Sequence, residues 1–340
     1  MNGSLLMNSN DDSDGRLEHR RRTLLPGLLM LGGVLVLVAV VLWPTRPGST
    51  DTPKQGTGVA RVEELRRADR TSAEAIIAEL SKLDRPELRE LAKFIKDDNP
   101  NVQRGVAIAM AQAPSLDVET AKELQAGLRD PAVTVRENCA KAVGRSEWKG
   151  PEVAALMAAM FADQSRDVRG IAASALGEQR EAARPHIPAL SKLMKEDWWG
   201  SGPAAAVACR KLGKIAIGAE PSLRSLLIQR MGWMDKDEAI EALGEIRTPQ
   251  ALNVLIDQVR DTLGPPSSRN SDKVERACRA IAKFGPEGRP ALYVLKRVYE
   301  TGKRSAAPDP DYDSACGMAA REAILAIDPA EAKALGIKPK

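Results

Sequence analysis

The sequence predicts an all-α protein, an α-solenoid of about seven helix–turn–helix repeats preceded by one transmembrane helix. Three observations lead to this prediction. A fifteen-residue pattern recurs along the chain, the apolar residues are mostly alanine and leucine, and an uncharged stretch lies near the start. Alanine and leucine favour packed helices, whereas strands favour the β-branched and aromatic side chains. Aromatic residues make up only 3% of this chain, against 43% hydrophobic residues.

The uncharged stretch is LLPGLLMLGGVLVLVAVVLW, residues 24–43. Twenty residues are enough to cross a hydrocarbon core of about 30 Å as a helix. The basic run RLEHRRR (16–22) precedes it, and Trp43 at its end is suited to the membrane interface. Because positive charge stays on the cytoplasmic side, residues 1–23 are predicted to form a cytoplasmic tail. The rest of the chain is then outside the cytoplasm, in the periplasm of a bacterium.

A cleaved signal peptide is the alternative for this segment. Arg21 and Arg22 loosely match a twin-arginine export signal. A secretory apolar region is usually shorter, about 7–15 residues, and ends in a small-x-small cleavage site. The following residues, VVLWPTRP, contain no such site. We therefore expect a retained single-pass anchor, followed by a flexible linker over 44–58 that is rich in Pro, Gly and Thr.

The repeat is clearest in three copies that begin 33 residues apart: DDNPNVQRGVAIAMA at 97–111, DPAVTVRENCAKAVG at 130–144 and DQSRDVRGIAASALG at 163–177. Apolar and small residues recur at helical spacing, which allows neighbouring helices to approach closely. An Asp ahead of each copy is a candidate N-cap. Gly144 and Gly177 are candidate residues just beyond the helix end.

Weaker copies follow, and a second amphipathic helix precedes each copy, often opened by proline. Such a helix pair buries its apolar face only by stacking on its neighbours. The weaker copies are PAAAVACRKLG (203–213), DEAIEALGEI (237–246), VERACRAIAKFG (274–285) and SACGMAAREAILAID (314–328). The predicted layout is a helical cap at 59–83, the solenoid at 84–335 and a tail at 336–340.

The pattern D-x-x-x-x-V-R-x-x-A-A-x-A-L-G resembles the short HEAT-type repeat, including the variety associated with phycobilin lyases. The resemblance covers residues 84–328, and Gln103 and Ala111 depart from it where Arg and Gly are expected. It implies a scaffold-like solenoid, since arrays of this kind mostly serve as scaffolds.

The sequence offers no constellation for catalysis, and we expect a protein that is not an enzyme. GxGxxG, phosphate-loop, GxSxG and HExxH motifs are absent. The cysteines (Cys139, Cys209, Cys278, Cys316) lack zinc-like spacing, and His19 and His186 do not complete a ligand set. No catalytic residue, cofactor or metal is therefore predicted. Cys139, Cys278 and Cys316 are expected to share one small interior position of the second helices, which Val106 and Ala172 fill in other copies. A disulfide between repeats is not expected.

Tryptophan gives the candidate binding residues. Trp198 and Trp199 (EDWWGSGP) and Trp233 (RMGWMDKD) lie in turns within two adjacent repeats, which share one edge of a solenoid. Exposed tryptophan is enriched at interfaces, although tryptophans also fill gaps between irregular repeats. Trp148 lies between repeats, at the opposite edge. The three same-edge tryptophans are the predicted contacts for a partner.

The leading functional hypothesis is a non-catalytic, membrane-anchored scaffold that binds a protein or peptide outside the cytoplasm. A phycobilin-lyase-like enzyme is one alternative. A nucleic-acid-binding protein is the other, if the solenoid proves to be cytoplasmic. A formal net charge of +4 over 340 residues gives little reason to expect nucleic acid.

Overall fold

The computed structural model describes residues 57–197, 200–228, 236–261, 268–304 and 310–338. Every regular element in these ranges is a helix. The predicted tail (1–23) and membrane helix (24–43) lie outside the described residues, as does almost all of the linker. None of the helices within the described ranges combines the length and the apolar character that crossing a membrane requires.

Two helices, Thr57–Arg67 and Arg70–Leu80, precede seven helix pairs, which we number repeats 1 to 7. The first helices of the repeats are Arg85–Ala92, Val118–Glu123, Pro151–Ala159, Ile187–Glu196, Glu220–Ile228, Pro249–Asp261 and Leu292–Arg304. The second helices are Pro100–Gln112, Val133–Arg145, Arg166–Gly177, Gly202–Leu212, Lys236–Ile246, Ser268–Ala282 and Pro310–Ile327. A short helix, Pro329–Ala334, follows repeat 7.

The first helices begin where the sequence supplies a cap. Asp84 accepts a hydrogen bond from the Glu87 amide at 2.9 Å, and Asp117 accepts one from the Thr120 amide at 2.8 Å. These bonds satisfy amides that lack a partner within the helix. Six of the first helices are extended by 3₁₀ segments, which are Lys93–Lys96, Leu124–Arg129, Met160–Ala162, Arg180–His186, Gly213–Ala219 and Gly285–Ala291.

The second helices form a continuous stack, each packing on the next from repeat 1 to repeat 7. Glycine makes the approach close. A Cβ atom on Gly144 would lie 2.5 Å from the Cβ of Ala175, and one on Gly177 would lie 2.9 Å from the Cα of Ala208. Gly244 repeats the arrangement, with its Cβ position 2.9 Å from the Cα of Ala280. These distances leave no room for a side chain, so the stack depends on glycine.

This finding corrects the role predicted for Gly144 and Gly177. Both lie inside the last turn of their helices and are buried, so neither is the residue beyond the helix end. The left-handed backbone conformation predicted for these glycines lies further along the chain. It is found in four successive turns between repeats, three residues after Gly177, Gly244 or the position that corresponds to them. The residues there are Arg180 (φ 49°), Gly213 (φ 55°), Arg247 (φ 58°) and Gly285 (φ 57°).

The cysteines belong to the interior of the stack. Cys139, Cys209 and Cys278 are buried, Cys316 is partly buried, and all four are free thiols. Burial raises the pKa of Cys139 and of Cys209 to about 12, so both are neutral thiols near pH 7. The glycine contacts show which residues are equivalent: Ala280, which meets Gly244, corresponds to Ala175, which meets Gly144. Cys278 therefore corresponds to Ala173 and Ala140, one residue after the position of Cys139. The predicted shared position for Cys139 and Cys278 was wrong by one residue.

The glycine contacts generate a stability prediction. Gly177→Ala should lower the free energy of unfolding by about 1–3 kcal/mol, because the added methyl group meets the backbone of Ala208. Gly170→Ala, in the same helix, is the matched control. A Cβ there comes no closer than 3.5 Å to Ala204, so alanine should stabilise the helix by about 0.5–1 kcal/mol. Chemical denaturation of both variants tests the packing, and equal effects would contradict it.

Candidate binding surfaces

The predicted tryptophan contacts, Trp198, Trp199 and Trp233, lie outside the described residues and stay a prediction. Trp148 is described and is only 5% exposed, in the turn between repeats 2 and 3. Its amide donates to the Ser146 Oγ at 3.2 Å, and the Lys122 ammonium lies 5.8 Å from the ring centroid. Trp148 is therefore a packing residue of this junction.

Along the turns within repeats, aspartates and arginines form a ladder. Arg136 of repeat 2 donates to both carboxylate oxygens of Asp163 in repeat 3, at 2.7 and 2.9 Å. Arg169 of repeat 3 continues the ladder to Asp197, through Nε at 3.0 Å and a terminal nitrogen at 2.6 Å. Ahead of the repeats, Arg66 pairs in the same way with Asp97, at 2.7 and 2.8 Å.

The same aspartates shape their own turns. The Asp97 carboxylate accepts from the Asn99 amide, and Asp163 accepts from the Ser165 amide, each at 2.8 Å. The helix N-caps are Asn99 and Ser165, so the predicted N-cap role of the aspartates was wrong by two positions. Each aspartate instead joins its own turn to the previous repeat.

The ladder pairs are partly shielded from solvent, and they lower the pKa values of their carboxyl groups. Side-chain exposure is 12% for Arg136 and 11% for Asp163. The hydrogen bond from Arg136 lowers the pKa of Asp163, and the one from Arg66 lowers the pKa of Asp97. Bidentate guanidinium–carboxylate pairs fix geometry as well as charge, so the ladder sets the register between neighbouring repeats.

One position of the ladder is missing. Gln103 occupies the place in repeat 1 that Arg136 and Arg169 occupy in repeats 2 and 3. The Asp130 carboxylate still accepts from the Ala132 amide at 2.8 Å, but no guanidinium among the described residues donates to it. The departure from the HEAT-type pattern at Gln103 therefore removes an inter-repeat bond.

A groove of about 840 Å³ opens between the first helices of repeats 2 and 3. These two helices pack less closely than their neighbours do. The lining of the groove includes Ala126, Leu156 and Ala159, together with the cationic side chains of Lys96 and Arg129. Its lining carries charges of both signs, since Glu123 and Asp130 also line it.

The exposed face of the second helices, here called the second-helix face, changes character along the stack. In repeat 5 it carries Asp237, Glu238 and Glu241. These acids are paired with neighbouring repeats, since Arg210 reaches Glu238 at 3.0 Å and Arg276 reaches Glu241 at 2.5 Å. Further along the face, Lys283 of repeat 6 pairs with Glu245 of repeat 5 at 2.6 Å. The charges here join neighbouring repeats.

In repeats 3 and 4 the equivalent positions are uncharged. The glycine contacts place Gly170, Ile171 and Ser174 where repeat 5 has Asp237, Glu238 and Glu241. In repeat 4 the same positions hold Pro203, Ala204 and Val207. A shallow groove of about 490 Å³ follows this uncharged window, with Gly170, Ile171, Ser174 and Ala204 in its lining.

The rim of the uncharged window is mainly cationic. Lys141, Arg145, Arg166 and Lys211 line the groove, together with Asp167 and Glu178. Lys211 and Glu178 pair with each other at 2.6 Å, and Arg145 donates to the Ala111 carbonyl oxygen at 3.2 Å. Sequence reasoning missed this surface, since it required the alignment of helices whose spacing drifts. In the described part of the chain, no group of His, Cys, Asp or Glu is arranged to hold a metal ion.

Comparison with solved structures identifies the fold. An engineered protein matches with a TM-score of 0.50 and 16% identity, over 80% of this chain and 78% of that one. A homology model of the full-length AP-3 complex in an intermediate open conformation gives a TM-score of 0.58 at 14% identity, over 77% of this chain and 49% of that one. A crystal structure of importin beta gives 0.51 at 14% identity, over 82% of this chain and 40% of that one.

These likenesses show an all-helical solenoid of the HEAT type, as the sequence predicted. At such low identity they show the fold alone. The chain spans less than half the length of the matched AP-3 and importin beta chains. No family model and no curated protein matches the sequence.

The ladder generates a pH-dependent prediction. Asp163→Asn should lower the free energy of unfolding by about 2 kcal/mol at pH 7, since it removes a charge-assisted bidentate pair. Because the folded pKa of Asp163 is lowered, its contribution is full above the unfolded value of about 3.9. It disappears as the pH falls through the folded pKa, so the two proteins should converge in acid.

Asp130→Asn is the matched control for this prediction. Asp130 has the same place in its turn and the same bond to an amide two residues on, without a guanidinium partner. Its substitution should cost clearly less at pH 7. Urea titrations at several pH values give the comparison, and equal losses for the two variants would refute the ladder as a source of stability.

Proposed function

We propose that the protein is a non-catalytic scaffold, tethered to the membrane through residues 24–43, that binds a protein or peptide outside the cytoplasm. The observation that carries this proposal is the uncharged window on the second-helix face. A stacked array exposes a long surface, and here its ion pairs are interrupted by small and apolar side chains beside a groove of about 490 Å³. The likeness to HEAT-type solenoids also supports this interpretation, because solenoids of this type mostly serve as scaffolds.

The tryptophan edge is the second part of the proposal. Trp198 and Trp199 follow the first helix of repeat 4, and the second helix of that repeat carries Ala204 of the window. Gly200, which follows Trp199 in the chain, lines the groove of the window. A partner that contacts both the groove and the tryptophans would bury aromatic anchors, which are enriched at interaction hot spots.

The partner contact can be tested by photo-crosslinking in intact cells. A photoreactive amino acid replaces Ser174 in the window, Trp199 at the edge, or Asn253 on the first helix of repeat 6. Asn253 is exposed and does not line the groove of the uncharged window, so it is the control. We expect the same discrete adduct from positions 174 and 199 and none from 253. Adducts of equal yield from all three positions, or from 253 alone, would remove the support for these surfaces.

The predicted topology has its own test. A reporter that is active only in the cytoplasm, fused after Lys340, should be inactive, because the basic run before residue 24 holds the N-terminus inside. A reporter active only outside should work at the same position. The opposite pattern would place the solenoid in the cytoplasm and refute this part of the proposal.

A further inference from the structure

Several turns between repeats share a residue with positive φ, although the type of residue at that position differs from turn to turn. Four successive turns place one residue in the left-handed region, and two of these residues are glycine, the residue that adopts a positive φ without strain. The other two are Arg180 and Arg247. Arginine is disfavoured there because its Cβ crowds the backbone. Both side chains are exposed, so packing does not explain them.

The arginines belong to a row of cations, here called the cationic edge. Its members are Lys149, Arg180, Lys214 and Arg247, one in each of four consecutive turns from repeat 2 to repeat 6. All four are exposed, and none forms an ion pair with a carboxylate among the described residues. Glu178, which is paired with Lys211, also attracts Lys149 and Arg180 at longer range, and these cations help to lower its pKa. Lys149 donates to the Gly144 carbonyl oxygen at 2.8 Å, and Arg247 donates to that of Lys283 at 3.4 Å.

The acids close to these turns are mostly paired elsewhere. The four ion pairs are Glu147 with Arg85, Glu178 with Lys211, Glu181 with Arg184, and Glu245 with Lys283. Glu152 and Glu287 are the exposed acids near the edge that lack an ion pair within the described ranges. The four cations therefore project a positive field from one side of the solenoid.

The spacing of the row indicates the kind of partner. Neighbouring helices pack about 8–10 Å apart, so the cationic edge extends over about 25–30 Å. A single phosphate group does not bridge cations at that spacing, whereas a surface with many phosphates meets all of them. We propose that the cationic edge lies on the anionic phospholipid headgroups of the membrane. This inference rests on the proposed membrane tether.

The tether is long enough for this contact. The linker predicted over 44–58 ends where the helix Thr57–Arg67 begins, and the thirteen residues 44–56 would reach about 45 Å if extended. A basic surface beside a membrane anchor gains affinity from anionic lipid at about fivefold per cation, and the gain falls with salt. The edge would hold one side of the solenoid near the bilayer and leave the second-helix face open to a partner.

The full chain in vesicles provides the test. It is reconstituted in neutral phosphatidylcholine vesicles and in vesicles that also contain phosphatidylglycerol. A membrane-impermeant amine reagent then labels the protein, and mass spectrometry measures the labelling rate of each lysine. Lys214, on the cationic edge, should be labelled several-fold more slowly with anionic lipid, and 0.5 M salt should restore its rate. Lys96, at the opposite edge, is exposed and is the internal control.

The double variant Arg180→Gly/Arg247→Gly gives the sharpest comparison. Glycine is favoured at both φ values, so thermal stability should be unchanged or higher. Loss of two cations should weaken the lipid contact about 25-fold and abolish the protection of Lys214. The control variant Lys96→Gln/Arg129→Gln removes two exposed cations from the other edge and should leave the protection intact.

Equal labelling of Lys214 in both vesicle types would overturn the proposal, as would protection that survives in the double variant. Protection of Lys214 only after addition of an acidic protein would also overturn it, in favour of a protein partner. Flotation with neutral vesicles tests the tether separately. A chain that floats only with anionic vesicles, and loses flotation in the double variant, would support the cationic edge while refuting the membrane anchor.

Discussion

The close contact between successive second helices is the constraint on which the structure depends. Gly144, Gly177 and Gly244 each meet an alanine of the next repeat at distances that exclude a side chain. Helices that approach this closely must keep one register, because a shift by one residue would bring a methyl group into the contact. The small residues of the repeat pattern follow from this constraint, and so does the near absence of large aromatic side chains.

A fixed register makes the charged side chains predictable partners. Arg136 meets Asp163, and Arg169 meets Asp197, because the stack holds each arginine beside the following turn. On the second-helix face the same register brings Arg210 and Arg276 to the acids of repeat 5. The pairs on the second-helix face define geometry more than they add stability, since partly exposed ions gain little net free energy. Where Gly170, Ile171 and Ser174 stand in place of the acids, the face carries no such ion pairs, and this is the surface that we propose for a partner.

The sequence predicted the fold because the repeat encodes its own packing. Three copies in one register identified the second helices, and proline and aspartate marked the starts of the first helices. The role of the glycines was not predictable in detail, because a glycine near a helix end suits either a left-handed turn or a close contact. The Arg–Asp ladder joins residues 27 to 31 positions apart, and the sequence pattern shows each partner without showing that they meet.

The candidate surfaces were harder to predict than the fold for a related reason. Repeats 4 to 7 drift in length, so the equivalence of Ser174 with Glu241 appears only once the helices are superposed through their glycine contacts. The same drift misplaced Cys278 by one residue. The tryptophan edge depends on loop residues beyond this register, and Trp148 illustrates the difficulty, since it is buried in a turn that the sequence alone assigns to an edge.

The ladder arginines at the turns within repeats are paired with carboxylates, whereas the two arginines with positive φ at the turns between repeats pair with none in the described part of the chain. At the turns within repeats, Arg66, Arg136 and Arg169 each donate two hydrogen bonds to a carboxylate, so their charge is neutralised inside the fold. At the turns between repeats, Arg180 and Arg247 occupy backbone positions that favour glycine and pair with no acid among the described residues. Arg247 makes one long hydrogen bond, to the Lys283 carbonyl oxygen at 3.4 Å, and neither arginine is in an ion pair within the described ranges that would offset the backbone strain. The charges of these two arginines are therefore those that the proposed contact with anionic lipid would use, whereas the charges of the ladder are used within the fold.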